Sequence, residues 1–138
     1  MRIFIDASVI LAALGSKSGG SALILKLIQK GNFNGIISEE IIEEVQRNAV
    51  KIGIKPEKAE EIIILSRIII IPAPDSDEVE KFEGFVPDED RHVIASAKKS
   101  KAKIVATLDR RLINKAKQKF KNIEFLTPGE ILQRFVNS

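Results

Sequence analysis

Two short apolar runs, each closed by an aspartate, decide the fold: MRIFID at residues 1–6 and KIVATLD at residues 103–109. Continuous runs of β-branched and other apolar residues are typical of strands buried on both faces of a parallel sheet. In open α/β sheets, ligands bind in the crevice beyond the carboxyl ends of the strands. Asp6 and Asp109 therefore lie at positions where a ligand could bind, but either one taken singly is better explained as the N-cap of a helix.

Outside these two runs, strands and helices alternate along the chain. Further strands are predicted at 35–37, 68–71 and 123–125, and helices at 8–14, 21–30, 39–51, 56–66, 88–99, 110–119 and after a capping box at 127–130. This alternation indicates a three-layer α/β/α fold with a mostly parallel central sheet. Because the chain contains no repeat and no long linker, residues 1–138 are predicted to form one domain.

The amino-acid composition limits the kinds of metal site and cross-link that the chain can form. With no cysteine and one histidine in 138 residues, disulfides, thiolate metal sites and His-rich zinc sites are excluded. A metal would be held by oxygen, which favours Mg²⁺, Mn²⁺ or Ca²⁺. No apolar stretch reaches the roughly 18 residues of a membrane span, and residues 1–6 contain an acid where a signal peptide would be apolar. A cytoplasmic protein without a membrane segment is expected.

The net charge of +3 hides a strong segregation of charge. Residues 75–90 contain eight acids and one lysine, whereas residues 91–121 contain eleven Lys or Arg and one acid. Either run alone is typical of a solvated face. Together they also suit a basic track for a phosphate backbone beside an acidic metal site.

Asp90 lies on the apolar face of its predicted helix, because Val93, Ile94 and Ala97 follow it at i+3, i+4 and i+7. A carboxylate placed there points toward the core or its rim. Burying it is costly unless it is paired or bound to a metal. The alternative is a salt bridge to a nearby Arg or Lys.

Four glutamates occur at 39, 40, 43 and 44, beside the predicted apolar stripe of Ile41, Ile42, Val45 and Ala49. Glu39 and Glu44 flank this stripe on its two edges. The helix dipole accounts for Glu39 in the first turn, but not for Glu44. Helical angle alone does not separate these two, and a solvated face would account for all four.

The ordered acids resemble those of the PIN domain family over nearly the whole chain. Five segments are similar to the family's successive motifs: residues 1–8, Glu44 in a helix, residues 90–97, residues 104–109 and the helix start at 126–128. The resemblance implies a divalent-metal-dependent ribonuclease of the prokaryotic toxin type, often bound by an antitoxin. One departure is Asp-Ala-Ser at residues 6–8, where many members have Asp-Thr-Asn.

The resemblance also assigns roles to individual residues. Asp6, Glu44, Asp90 and Asp109 would be catalytic, and Asp6, Asp90 and Asp109 would hold Mg²⁺ or Mn²⁺, with Asp109 acting directly or through water. Ser8 and Thr107 would orient these groups, and Arg110 and Arg111 would contact RNA phosphates. Asp88 is a rival for Asp90, Glu83 and Glu89 are outside candidates, and His92 is interpreted as a surface residue with no catalytic role.

The expected partners are RNA, an antitoxin protein and a second copy of the chain. The homodimer is expected from the family and from a surplus of surface isoleucine at 62–64 and 68–71. Two alternatives keep the fold: a non-catalytic RNA- or protein-binding PIN relative, and a DNA-directed nuclease. A receiver-like phosphorelay domain is a third alternative, but it would need two adjacent acids after the first strand, where this chain has only Asp6.

Overall fold

The structure is a computed structural model that describes residues 1–117 and 119–136. Within these residues, five parallel strands form one sheet in the order β3-β2-β1-β4-β5, accompanied by eight α-helices. The strands are β1 (Arg2–Ile5), β2 (Asn34–Ser38), β3 (Ile69–Ile71), β4 (Ile104–Ala106) and β5 (Glu124–Leu126). The helices are α1 (Ala7–Gly15), α2 (Gly20–Gln29), α3 (Glu39–Ala49), α4 (Pro56–Leu65), α5 (Ser76–Glu80), α6 (Arg91–Lys99), α7 (Arg110–Ala116) and α8 (Pro128–Phe135). The predicted α/β fold with a parallel sheet is confirmed.

The centre of the sheet is the pair of strands β1 and β4, which are far apart in sequence. Ile3 pairs with Ile104 and Ile5 with Ala106, and all of these side chains are buried. From this pair the chain adds β2 and β3 on one side and β5 on the other. The strand order therefore reverses between β1 and β4, which is the position where open α/β sheets bind ligands.

The helices around the sheet also pack against one another. Helix α1 contacts α2 and α3, α3 contacts α4, α2 contacts α8, and α5 packs against α6. Close packing of α2 on β2 depends on Gly35, since a Cβ at this position would lie 2.6 Å from Ile28 Cδ1. Among the residues described, no single helix is long and apolar enough to cross a membrane, and α1 and α2 pass that test only as a pair bent by 103°.

Several predicted element boundaries were wrong. Helix α2 begins at Gly20 with Gly19 as its cap, so Ser21 lies inside the helix. Helix α7 ends at Ala116, because the backbone of Lys117 leaves the helical region; the prediction that ran to residue 119 includes residue 118, outside the described residues. The turn at residues 88–90 is a separate 3-10 helix ahead of α6.

The acidic run at residues 75–90 contains a helix that was not predicted. Asp75 caps α5 by accepting a hydrogen bond from the backbone N–H of Glu78, and the Glu78 side chain accepts one from the N–H of Asp75. This reciprocal capping box is visible in the sequence as Asp-x-x-Glu. The same motif was predicted at Thr127 and Glu130, where it caps α8.

Candidate active site

Asp6 follows β1 directly and caps α1, so its carboxylate lies at the carboxyl edge of the sheet. Its Oδ1 accepts a 2.9 Å hydrogen bond from the N–H of Ala7. Its Oδ2 accepts two hydroxyl hydrogen bonds, from Ser8 at 2.8 Å and from Thr107 at 2.7 Å. Burial raises the pKa of Asp6, the two hydroxyls act against this, and the charge of Glu44 adds to the rise.

Ser8 and Thr107 connect this carboxylate to the loop that follows β4. Ser8 Oγ accepts a hydrogen bond from the N–H of Leu108 at 3.0 Å, and Thr107 Oγ1 accepts one from the N–H of Asp109 at 3.0 Å. Asp109 Oδ1 in turn caps α7 by accepting from the N–H groups of Arg111 and Leu112. The helix-cap role considered for Asp6 and Asp109 is therefore real at both positions, and it orients both carboxylates.

Asp90 is the most unusual acid of the site. The residue is only 8% exposed, and its Oδ2 has no hydrogen-bond partner among the described residues. The neighbouring Arg91 does not neutralise it, since its Nε instead lies 3.7 Å from Oδ1 of Asp88, whose side chain is 79% exposed. Burial, followed by the charges of Asp6, Asp109 and Glu89, raises the pKa of Asp90 to about 7.

The structure places His92 in the interior, so its interpretation as a surface residue was wrong. It is 8% exposed, and its side chain extends from α6 to glutamates of α3. Its Nδ1 is 2.8 Å from Oε2 of Glu40, without hydrogen-bond geometry, and its Nε2 is 3.7 Å from Oε1 of Glu44. A sequence signal was present in residues 95–97, Ala-Ser-Ala, since such small side chains allow a helix to be buried all round.

The position of Glu44 distinguishes it from Glu39 and Glu43 on the same helix. Its side chain is 34% exposed, and its charge contributes to the raised pKa of Asp6. Glu39 and Glu43 are exposed, as are the outside candidates Glu83 and Glu89. The charge of Glu44 thus acts on Asp6, and the charges of Asp6 and Asp109 act on Asp90. The structure adds His92 to this set through Glu40 and Glu44.

The chemistry of these groups fits a divalent cation. The site offers only carboxylate and hydroxyl oxygens, apart from one imidazole, and Mg²⁺ and Mn²⁺ prefer such oxygen donors. The unpartnered buried oxygen of Asp90 is the kind of group that a cation would satisfy. In the conformation described, however, no three acidic or histidine side chains of residues 1–117 and 119–136 converge closely enough to chelate a metal.

Comparison with known proteins identifies the family. The sequence model of the PIN domain matches residues 2–111, which include all four predicted acids. The chain belongs to the PIN domain family. No curated protein sequence matches the chain, so the remaining comparisons concern the PIN fold alone.

Solved structures agree with this assignment. PAE2754 from Pyrobaculum aerophilum is 20% identical with a TM-score of 0.67, covering 100% of this chain and 97% of its own. VapBC2 from Rickettsia felis, bound to a DNA fragment from its promoter, is 19% identical with a TM-score of 0.62 and coverages of 91% and 97%. VapC20 from Mycobacterium tuberculosis, a sarcin-ricin loop cleaving toxin, is 17% identical with a TM-score of 0.53 and coverages of 75% and 86%. The resemblance to PIN domains is thus confirmed at the level of family and fold.

The two predicted phosphate contacts of this PIN domain differ in their surroundings. Arg110 and Arg111 are both exposed at the start of α7, directly after Asp109. Arg111 Nη1 lies 3.6 Å from Oε1 of Glu89, whereas Arg110 faces a groove between α7 and α8. An exposed ion pair such as Arg111–Glu89 contributes little stability, so both cations remain available to an anionic ligand.

Proposed function

We propose that this PIN domain is a divalent-metal-dependent endoribonuclease whose active site contains Asp6, Glu44, Asp90 and Asp109. The observation that carries the proposal is the buried, unpartnered Asp90 oxygen beside Asp6, at the point where the strand order reverses. A fold does not need such a carboxylate for stability, since burial without a partner is costly. Strongly perturbed pKa values of this kind cluster at functional sites.

The chain's own residues divide the work. Asp6 and Asp90 would hold Mg²⁺ or Mn²⁺, and Asp109 would do so directly or through water. Glu44 would bind the same ion or orient the attacking water, while the hydroxyls of Ser8 and Thr107 keep Asp6 in place. When bound, the cation supplies hydroxide near neutral pH and neutralises charge on the phosphate oxygens.

The proposed substrate is RNA and the proposed protein partner is an antitoxin. Support comes from the neighbouring folds, among which VapC20 is a sarcin-ricin loop cleaving toxin and VapBC2 was solved on promoter DNA. The exposed Arg110 and Arg111 beside Asp109 supply positive charge for the phosphate backbone. We therefore assign the chain to the toxin half of a toxin–antitoxin pair, acting in the cytoplasm.

A cleavage assay tests this function. Purified protein is incubated with single-stranded RNA, duplex RNA and single-stranded DNA, each with Mg²⁺, Mn²⁺ or EDTA. Cleavage of single-stranded RNA is expected only with metal, and it should be lost in Asp6→Asn and Asp90→Asn but kept in Asp88→Asn, whose carboxylate is exposed. Cleavage in EDTA, or full activity in Asp90→Asn, would refute the metal site, and cleavage of DNA alone would favour the DNA-directed alternative.

A further inference from the structure

A groove of about 610 Å³ lies between α7, β5 and α8, outside the acidic site. Its walls include Arg110 and Lys117 from α7 and the turn that ends it, Lys121 from the segment before β5, and Arg134 from α8. None of the roles assigned above uses this groove, apart from Arg110 at one end.

The groove adjoins the acidic site at that end. Arg110 follows Asp109 in the chain, and the carbonyl of Leu126, which lines the groove, accepts a 3.0 Å hydrogen bond from the N–H of Thr107. Thr107 is the residue whose hydroxyl binds Asp6. The groove and the acidic site therefore meet at the carboxyl ends of β4 and β5.

The charge of the groove suits a phosphate backbone. Four cations face two carboxylates, Glu124 and Glu130. Both acids already have partners, because Glu124 binds Arg134 at 2.7 and 2.8 Å and Glu130 Oε1 accepts from the N–H and hydroxyl of Thr127. Among the described residues, Lys117 and Lys121 form no ion pair, so they can bind phosphate without first breaking an internal contact.

The lining of the groove favours unpaired bases over a duplex. Ile113 and Phe120 are half-buried there and expose apolar surface beside the cations. Phe120 is held by edge and tilted contacts with Phe82, Phe85 and Phe125. Rigid apolar and aromatic surface flanked by cations is typical of sites for single-stranded nucleic acids, whose bases are free to stack.

We propose that this groove binds the single-stranded RNA that flanks the cleaved bond, with its phosphates on Arg110, Lys117 and Lys121 and a base against Ile113 and Phe120. This proposal rests on the proposed ribonuclease function for the identity of the ligand. It extends that function by giving the path of the RNA over the surface, from the acidic site along α7 toward Lys121.

Binding without cleavage separates this proposal from the ribonuclease function. The affinity of a short fluorescent single-stranded RNA is measured by anisotropy in EDTA at several salt concentrations. The double variant Lys117→Ala/Lys121→Ala should bind about tenfold more weakly at low salt, and its salt slope should fall by about 1.4, because each phosphate contact on a single strand contributes about 0.7. Unlabelled duplex of the same sequence should compete poorly with the single strand.

The matched control is Lys51→Ala/Lys55→Ala, which removes the same charge from exposed positions between α3 and α4. This control should leave both the affinity and the salt slope near the wild-type values. An unchanged slope in the groove variant, an equal loss in both double variants, or equal competition by duplex would overturn the proposal. Failure of the wild type to cleave RNA with metal would instead count against the ribonuclease function, because the binding measurement does not depend on cleavage.

Discussion

The hydroxyl of Thr107 donates a 2.7 Å hydrogen bond to Oδ2 of Asp6, joining two residues that lie 101 positions apart. Thr107 follows β4 and Asp6 follows β1, and these strands are neighbours in the sheet. The contact holds together the two halves of the acidic site, since Thr107 Oγ1 also accepts from the N–H of Asp109. Both residues are buried, which makes the loss of either partner costly.

The hydroxyl of Thr107 should therefore matter more than its size. Thr107→Val keeps the shape of the side chain but removes the donor to Asp6 and the acceptor for Asp109, whereas Thr107→Ser keeps both. We expect Thr107→Val to lower metal affinity or cleavage about 10- to 100-fold, and Thr107→Ser to stay close to wild type. Equal effects of the two substitutions, measured by Mn²⁺ titration and cleavage rate, would show that the hydrogen bonds do not position the site.

Neutralising Asp90 should stabilise the metal-free protein. Its pKa is raised from 3.8 to about 7, so the charged form is less favourable in the fold than in the unfolded chain. This penalty is absent below pH 3.8, grows as pH rises, and is complete above about pH 7. Asp90→Asn should therefore raise the melting temperature at pH 8 and have little effect near pH 4. At pH 8 the gain in unfolding free energy should be at most a few kcal/mol.

Bound metal should reverse the stability advantage of Asp90→Asn. Mg²⁺ or Mn²⁺ stabilises whichever form binds it, by mass action, so both ions should raise the melting temperature of wild type more than that of Asp90→Asn. Asp88→Asn serves as the control, because the side chain of Asp88 is 79% exposed. This substitution should leave the melting temperature unchanged both in EDTA and with metal. A lower melting temperature for Asp90→Asn in EDTA, with no metal-induced shift in wild type, would remove Asp90 from the site.

His92 should stabilise the fold in its protonated form. Burial lowers the pKa of His92, but the neighbouring carboxylates of Glu44 and Glu40 raise it by more, so the net shift is upward from 6.5. The resulting stabilisation is fully present below pH 6.5 and is lost as pH rises through the raised pKa. In urea unfolding, His92→Gln should therefore cost more stability at pH 5.5 than at pH 8.5; a larger cost at the higher pH would contradict this arrangement.

The effect of these glutamates on the pKa of His92 can be measured directly, because His92 is the only histidine of the chain. Its imidazole signals in NMR need no assignment, and their titration gives its pKa. Glu44→Gln and Glu40→Gln should each lower that pKa, whereas Glu43→Gln should not, since Glu43 is exposed on the same helix. A pKa that responds equally to all three substitutions would place His92 away from Glu40 and Glu44.

The expected homodimer should use the apolar surface of α4 and the edge strand β3. Ile63 and Ile68 of the predicted isoleucine surplus belong to the core, but Ile64, Leu65, Ile69 and Ile70 are between 41% and 59% exposed. Contiguous apolar surface of this kind marks interaction sites. Light scattering should show a dimer that Leu65→Glu/Ile69→Glu converts to monomer and Leu23→Glu, on α2, does not; a monomeric wild type at high concentration would refute it.

The local patterns predicted the strands and several helix caps well. The runs at residues 1–6 and 103–109 form the two central strands, and Ser38 and Thr127 cap the helices they were assigned to. These signals depend on neighbouring residues only, through side-chain periodicity and hydrogen bonds to the first turn of a helix. The short helix at Ser76–Glu80 was missed although its capping box is present, because the acidic run was interpreted as charge rather than as structure.

The sequence by itself determined the order of the acids, the parallel α/β fold and the resemblance to PIN domains. Helical periodicity also placed Asp90 toward the core or its rim, where the structure has it. Only the tertiary structure decided that its Oδ2 has no hydrogen-bond partner among the described residues, and that Arg91 lies beside Asp88 instead. It also decided that His92 lies between Glu40 and Glu44. The physical reason is that hydrogen-bond partners and charge coupling depend on strands and helices that are distant in sequence, and neither periodicity within one helix nor spacing along the chain contains that information.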